Sequence, residues 1–325
     1  MAEAVVETGR FAGWGRRLTS AVLVVLAAAF AFAALLRLLG IDGNRYTAAV
    51  VALTPHVAVA GVVLGVVSLV LRRWWTGGMV LLLAAALIAL IVPRAVADDL
   101  PAKGGRPLRV LSANLYFGQA DAKAVVGMVR DHDVEVLSLL ELTPKAVAAL
   151  DAAGLFTLLP NRVLHAMPGG AGSGLVSKYP LSELSLADRS NLAQPSARVD
   201  LGGGAAVEVV AVHPVPPTTS SSDWRADLEK LPMATSDLPV RLLAGDFNAT
   251  LDHAALRRFL DGGYADAAAR SGHGLKPTWP DGIFPPPVTI DHVLVDDRAT
   301  VSDYQVLDIP GSDHSAIFCG LNVPV

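Results

Sequence analysis

Polar, ionisable residues recur in this chain at one kind of place, the end of an apolar run. Asn114 ends VLSAN, Glu141 ends VLSLLE, His213 ends VEVVAVH, and Asp246 and Asn248 end RLLAGDFN. Asp291 and His292 sit in TIDHVLV, and Asp313-His314 precede SAIF. Taken singly, each reads equally well as a cap, a turn former or a satisfied core group. Their shared position points instead to a common use, because polar groups at the ends of buried strands are costly unless something engages them. Carboxylates and an amide oxygen are the hard ligands that Mg²⁺ prefers, and imidazoles can donate to a phosphoryl oxygen or a leaving group. That set suits hydrolytic phosphoryl transfer. No competing zinc pattern is present, the one cysteine is Cys319, and Ser173 within GGAGSG lacks both a nucleophile elbow and a following Lys-Ser/Thr.

Short β-branched or apolar runs from about Arg109 onward must carry these residues. They are RVLSANL, VEVLSLLEL, GLVSKY, ARVDL, AVEVVAVHP, VRLLAGDFN, TIDHVLV and SAIFCGLNV. Helical stretches near 121–131, 144–153, 223–231 and 253–260 alternate with them. Several strands are apolar throughout, which requires sheets covered on both faces. Gly202-Gly203-Gly204 marks a hairpin between two of them. The pattern predicts a layered α+β or α/β domain over 109–325, sheet packed on sheet with helices outside.

The first hundred residues have another character. The whole chain is 52% apolar with mean hydropathy +0.47, too oily for an ordinary soluble enzyme. Residues 1–100 hold 8 Lys and Arg against 5 Asp and Glu, and residues 101–325 hold 18 against 25, so the two parts carry +3 and −7. Apolar runs at 18–39, 47–71 and 77–97 each reach the roughly 20 residues that cross a bilayer core. Three spans are expected, with 98–108 (DDLPAKGGRPL) as a linker. The first run reads alternatively as a signal peptide, since Arg16-Arg17 precede it and small residues such as Ala31 and Ala33 lie within it. Arg10, Arg16 and Arg17 before the first span, and Arg72-Arg73 after the second, place both flanks in the cytoplasm and the domain outside it. His56, beside Pro55, is expected to bond a carbonyl freed by the proline.

The ordered set Asn114, Glu141, SGLVSKYPL at 173–181, VAVHP with His213, AGDFNA with Asp246 and Asn248, IDHVLV with Asp291, and GSDHSAI with Asp313 and His314 resembles the endonuclease/exonuclease/phosphatase (DNase I-like) family over about 215 residues. The resemblance implies a four-layer α/β sandwich, two packed mixed sheets flanked by helices. It implies Mg²⁺ or Mn²⁺ held by Glu141, with Asn114 and Asp313 close to the metal. Asp246 would orient or deprotonate the attacking water, Asn248 hold the phosphoryl group, and His314, paired with Asp291, stabilise developing charge. His213 would donate to a phosphate oxygen or leaving group and Arg198 contact the phosphate, while His292 stays structural. Three spans before such a domain, with HPxPP and TWP loops, are also similar to actinobacterial teicoplanin-resistance (VanJ-like) membrane proteins, which implies a lipid-linked cell-envelope substrate.

An acidic domain is a poor match for nucleic acid. A multi-pass cell-membrane protein with an extracytoplasmic hydrolase acting on a phosphate-bearing lipid is therefore the leading expectation. A surface nuclease and a non-catalytic resistance or interaction module are the alternatives. Trp224, Trp279 and Phe284, in loops 215–224 and 278–287, are candidate lipid-facing aromatics, with capping of the core as the other reading.

Overall fold

Period-two alternation builds both sheets. In β1 (Arg106–Asn114), Leu108 and Val110 face one way and Leu111 and Ala113 the other, and all four are buried, so the strand is covered on both sides. The computed structural model describes residues 2–98, 104–187, 190–237 and 239–324; residues 99–103 of the expected linker lie outside the described residues. The chain forms two compact units, Met1–Ile41 with Leu53–Val92, and Asp42–Ala52 with Pro93–Val325.

The larger unit holds two six-stranded sheets. In the first, β1 pairs parallel with β2 (Val136–Leu140) and antiparallel with β12 (Ser315–Val323). The sheet is completed by β3 (Asn161–His165), β4 (Ser173–Ser177) and β11 (Thr300–Asp308), in the order β11-β12-β1-β2-β4-β3. In the second, β7 (Ala205–Val212) runs parallel to β8 (Val240–Asp246). β5 (Leu181–Leu184), β6 (Ser196–Gly202), β9 (Tyr264–Asp266) and β10 (Asp291–Asp296) extend it to the order β5-β6-β7-β8-β10-β9. The expected hairpin joins β6 to β7, and Gly202, Gly203 and Gly204 all take positive φ there.

Val110, Leu140, Val199, Val209, Leu242, Val293 and Ile317 belong to one core between the sheets. The outer face of the first sheet buries Leu111, Leu137 and Phe318 together with residues of α5 (Ala122–Asp131), α6 (Pro144–Ala152) and α7 (Leu155–Leu158). The outer face of the second buries Val210, Leu243 and Leu294 with α8 (Ser221–Lys230) and α9 (Ala254–Asp261), and a short α10 (Ala267–Arg270) follows β9. The layers are therefore helix, sheet, sheet, helix. Asp121, Thr143 and Ser220 cap α5, α6 and α8 by accepting from backbone N–H groups that have no partner within the helix.

The smaller unit contains α1 (Ala2–Leu39, reaching Ile41 by a turn), α3 (Thr54–Val70) and α4 (Trp74–Ile91). Close helix packing depends on glycine, since a Cβ on Gly61 would fall inside the ring of Phe30 and one on Gly65 inside Leu81. Arg17–Leu39 and Trp74–Ala95, with mean hydropathies of 2.6 and 2.4, are long and apolar enough to cross a membrane. The run expected as a span over 47–71 is not one helix. It divides at Leu53 into α2 (Arg45–Ala52) and α3, bent by 67°, because Pro55 in the first turn of α3 lacks an amide hydrogen and disfavours helix before it. α2 belongs to the larger unit, with Ala48 and Val51 buried there, and His56 is exposed on α3.

Candidate active site

Strand parity brings the polar strand ends together. Asn114 follows Leu108 and Val110 at even spacing, His213 follows Val209 and Ala211, and Asp246 follows Leu242 and Ala244; Asp291 precedes Val293 and Val295 in the same way. Each therefore points between the sheets. β1, β2, β7 and β8 contribute their carboxyl ends, whereas β10 and β12 run antiparallel and contribute their amino ends, so all six deliver to one edge of the sandwich. Glu141 comes one residue after the inward Leu140 and would alternate outward. Its left-handed backbone, φ 53°, turns it back. A non-glycine residue in that region costs about 1–3 kcal/mol.

The resulting cluster is closely bonded. The Asn114 Nδ2 group donates to Glu141 Oε1 and Asp246 Oδ2, 3.3 Å each, and its Oδ1 accepts from the Tyr116 amide at 3.0 Å. Glu141 Oε2 accepts from the Phe117 amide at 2.7 Å. His314 Nδ1 bonds Asp291 Oδ2 at 2.9 Å, and its Nε2 stands 3.8 Å from Asp246 Oδ2 and 4.0 Å from Asp313 Oδ1. His213 Nε2 stands 3.8 Å from Glu141 Oε1 and 4.0 Å from Asp246 Oδ2. Asn248, at φ 49°, donates its amide to Asp246 Oδ1 at 2.8 Å and its side-chain nitrogen to Pro214 O at 3.2 Å.

Burial and charge separate the two histidines. Desolvation alone would strip the proton from His314, but Asp291 and Asp246 outweigh it and raise the imidazole to about 10, so it is a cation at neutral pH. His213, buried and facing that cation, falls to about 4 and stays neutral. Burial, reinforced by the Asp291 and Glu141 carboxylates against the opposing pull of His314, lifts Asp246 to about 7. Burial likewise raises Glu141 above the usual carboxylate range.

Four carboxylates, Glu141, Asp246, Asp291 and Asp313, thus share the site with one imidazolium, an excess of negative charge that fits a hard cation. Asp313 Oδ1 is buried without a hydrogen-bond partner, and with Glu141 it offers the oxygen donors to hold such an ion. Asp246, Asp291 and His314 also approach within 4.8 Å of one another. Within that trio His314 Nδ1 is engaged by Asp291, which leaves Nε2 facing Asp246. Asn114, expected close to the metal, lies among the carboxylates, where its Nδ2 group bridges Glu141 and Asp246.

Arg198 is not brought to the cluster. Ala197, Val199 and Leu201 face the core, so Arg198 and Asp200 project from the opposite face of β6, where Arg198 lies in register with Ser182 and Glu208. Trp224 is fully buried and donates from Nε1 to Phe247 O at 3.2 Å, a core role that removes it from the lipid-facing set. His292 points away from the cluster and bonds Asp266 Oδ2 at 2.8 Å and Ala249 O at 2.9 Å, which makes it structural. Trp279, expected at the periphery, belongs to the site, since its Nε1 donates to Asp313 Oδ2 at 3.1 Å. Sequence reading missed Gln194, which is buried and accepts from the His213 amide at 2.9 Å with its Nε2 unpartnered. Its loop, RSNLAQPS, carries no strand-end signal.

An endonuclease/exonuclease/phosphatase from Beutenbergia cavernae DSM 12333 superposes with a TM-score of 0.50 at 18% identity, over 67% of this chain and 72% of that one. TDP2 from Caenorhabditis elegans gives 0.52 at 18% over 75% and 82%. D. rerio TDP2, complexed with a single-strand DNA product, gives 0.51 at 17% over 67% and 99%. At these identities the likeness establishes the fold alone. No curated protein matches by sequence. The sequence profile of the Endonuclease/Exonuclease/phosphatase family, whose members hydrolyse phosphodiester bonds, matches residues 111–314, a span that runs from β1 through every residue of the cluster. With that match and this sandwich, the chain belongs to the endonuclease/exonuclease/phosphatase family.

Proposed function

We propose that this chain is a membrane-anchored, Mg²⁺- or Mn²⁺-dependent phosphohydrolase whose catalytic unit acts, outside the cytoplasm, on a phosphate ester or diphosphate carried by a lipid of the cell envelope. The observation that carries the reading is the cluster in which His314 Nδ1 bonds Asp291 and its Nε2 stands within 4.0 Å of Asp246 and Asp313, with Glu141 alongside. Water placed beside Asp246 loses its proton to that carboxylate, whose pKa of about 7 suits a base at neutral pH. The His314 Nε2–H donates to the phosphoryl oxygens as charge develops on them. His213, neutral in the same cluster, donates to the departing oxygen. Asn248 orients the phosphoryl group. A divalent cation bound by Glu141 and Asp313 supplies further charge neutralisation.

The lipid part of the reading is supported by the apolar helices and by the −7 charge of residues 101–325, which repels nucleic acid. The similarity to teicoplanin-resistance proteins points to lipid-linked cell-wall intermediates as the substrate class. The test uses the full chain purified in detergent, stripped with EDTA and supplied with Mg²⁺ or Mn²⁺, against a polyprenyl diphosphate, a phospholipid and plasmid DNA. Metal-dependent hydrolysis of either lipid is expected. Cleavage of DNA alone makes the chain a nuclease, no turnover on any substrate makes it a binding module, and full activity after exhaustive chelation removes the metal.

A further inference from the structure

We propose that the loop tip Ile283-Phe284 is a lipid-inserting element at the mouth of the catalytic cluster. Among the described residues of the catalytic unit these are the two most exposed large apolar side chains, at 92% and 87%. Exposure of that kind in water is unfavourable unless a partner covers it. The base of the loop is fastened to the site: Trp279 pairs with Val288, the Asp281 amide donates to Asp313 O at 2.8 Å, and Trp279 Nε1 donates to Asp313 Oδ2. Whatever the tip enters is therefore held beside Asp313 and His314.

The composition of the tip selects an apolar phase. Residues 282–290 (GIFPPPVTI) contain no ionisable group, and Pro285, Pro286 and Pro287 have no amide hydrogens to be left unbonded when water is removed. Phe117 and Met167 are also exposed, at 49% and 45%, beside the loop whose Gly170 lies against the Phe117 ring and Glu141.

Chain connectivity supplies the bilayer as the occupant. The segments that leave the catalytic unit toward the apolar helices are held by the loop that follows Asn248 and by the one that leads to Trp279. Asp42 Oδ2 accepts from the Ala255 amide at 3.2 Å, and His253 Nε2 bonds Ala48 O at 3.0 Å. Arg94 pairs with both Asp252 oxygens at 2.8 and 2.9 Å, and its carbonyl accepts from the Gly274 amide at 2.9 Å. Arg94 lies three residues beyond Ile91, the end of α4, and α3 begins at Thr54, two residues after α2 ends. Exposed Val96 and Leu275 flank the same segments. Asp42 and Arg94, bonded to the loops that carry the site, thus lie within a few residues along the chain of helices apolar enough to cross a membrane.

This inference deepens the lipid-substrate reading and rests on it for its catalytic consequence, while insertion itself is measured without turnover. Cys319 is the one cysteine and is buried, so Phe284→Cys and, on the outer face of β6, Asp200→Cys can each be labelled selectively in the full chain with an environment-sensitive fluorophore. In proteoliposomes of phosphatidylethanolamine and phosphatidylglycerol, the Phe284 label should be quenched several-fold more by nitroxide lipids than by aqueous iodide, and the Asp200 label the reverse. Iodide quenching at both sites overturns the proposal, as does shielding of the Phe284 label from both quenchers, which means protein covers it. Where the chain is active, Ile283→Ser with Phe284→Ser should lower turnover of a bilayer-embedded substrate several-fold and leave bis(p-nitrophenyl) phosphate hydrolysis in detergent unchanged. An equal loss on both substrates shows damage to the site and counts against insertion.

Discussion

Asp246 and Glu141 look alike in sequence and occupy different electrostatic positions. Asp246 is braced by Asn114 and the Asn248 amide beside two histidines, while Glu141 shares the carboxylate-rich side with Asp313. Asp246→Asn should therefore leave Mg²⁺ affinity nearly intact and lower kcat by about 10²–10⁴-fold, the usual consequence of losing a general base. Glu141→Gln should weaken metal binding, so that raised Mg²⁺ restores part of the rate. Mg²⁺ titrations of both variants decide the roles, and rescue of Asp246→Asn alone reverses them. His314 predicts a pH dependence. Its pKa rises from 6.5 to about 10 on folding, so between those values the folded protein holds a proton that the unfolded chain has released. Its contribution is complete below pH 6.5 and lost as pH climbs toward 10. Melting temperatures of metal-free protein should fall across that window, and His314→Ala should flatten the decline.

At the scale of elements, close backbone approach and connector docking set the site's frame. β7 and β8 pair Val212 with Gly245, where an added Cβ would lie 2.0 Å from Val212 O. Gly245→Ala should destabilise the fold by about 1–3 kcal/mol and shift His213, the residue after Val212, so both the melting temperature and kcat should drop. A variant as stable and active as the wild type refutes this close packing. Asp42, fully buried, receives the Ala255 amide at the start of α9 and the Arg225 guanidinium, although some 210 residues separate it from α9. His253, the residue at the cap position of α9, makes no side-chain cap bond, so Asp42 takes that part. Asp42→Ala should lower stability by about 1–3 kcal/mol, measured by thermal unfolding in detergent, with metal affinity unchanged.

For the whole molecule, the docking of α2 onto the catalytic unit constrains topology. Segment 42–52 and the catalytic unit must lie on one side of the membrane, with α3 and α4 between them in sequence. If α4 crosses, α3 must cross as well; with α1 that makes the three passages expected from sequence, for which Arg72-Arg73 would lie on the opposite, cytoplasmic side. Reporters fused after Val325 and inserted after Gly43 should both read as extracytoplasmic, and one inserted after Arg73 as cytoplasmic. Opposite readings at Gly43 and Val325 refute the three-passage topology.

The sequence by itself indicated the elements that local patterning controls: helices near 121–131, 144–153, 223–231 and 253–260, which form as α5, α6, α8 and α9, the glycine hairpin, and apolar strands with polar ends. It also indicated the shared use of those ends, since burial penalises a stranded carboxylate wherever it occurs. Alternation was legible too: the pattern of ARVDL already sets Arg198 on the face opposite Val199. What required the tertiary structure were distances between residues remote in sequence. These determine that the pKa of His314 is raised and that of His213 lowered, that Asn114 bridges Glu141 and Asp246, and that Trp279 joins the site while Trp224 joins the core. A side chain's type is local, but its charge state and accessibility depend on neighbours that only the packed sheets bring within a few ångströms.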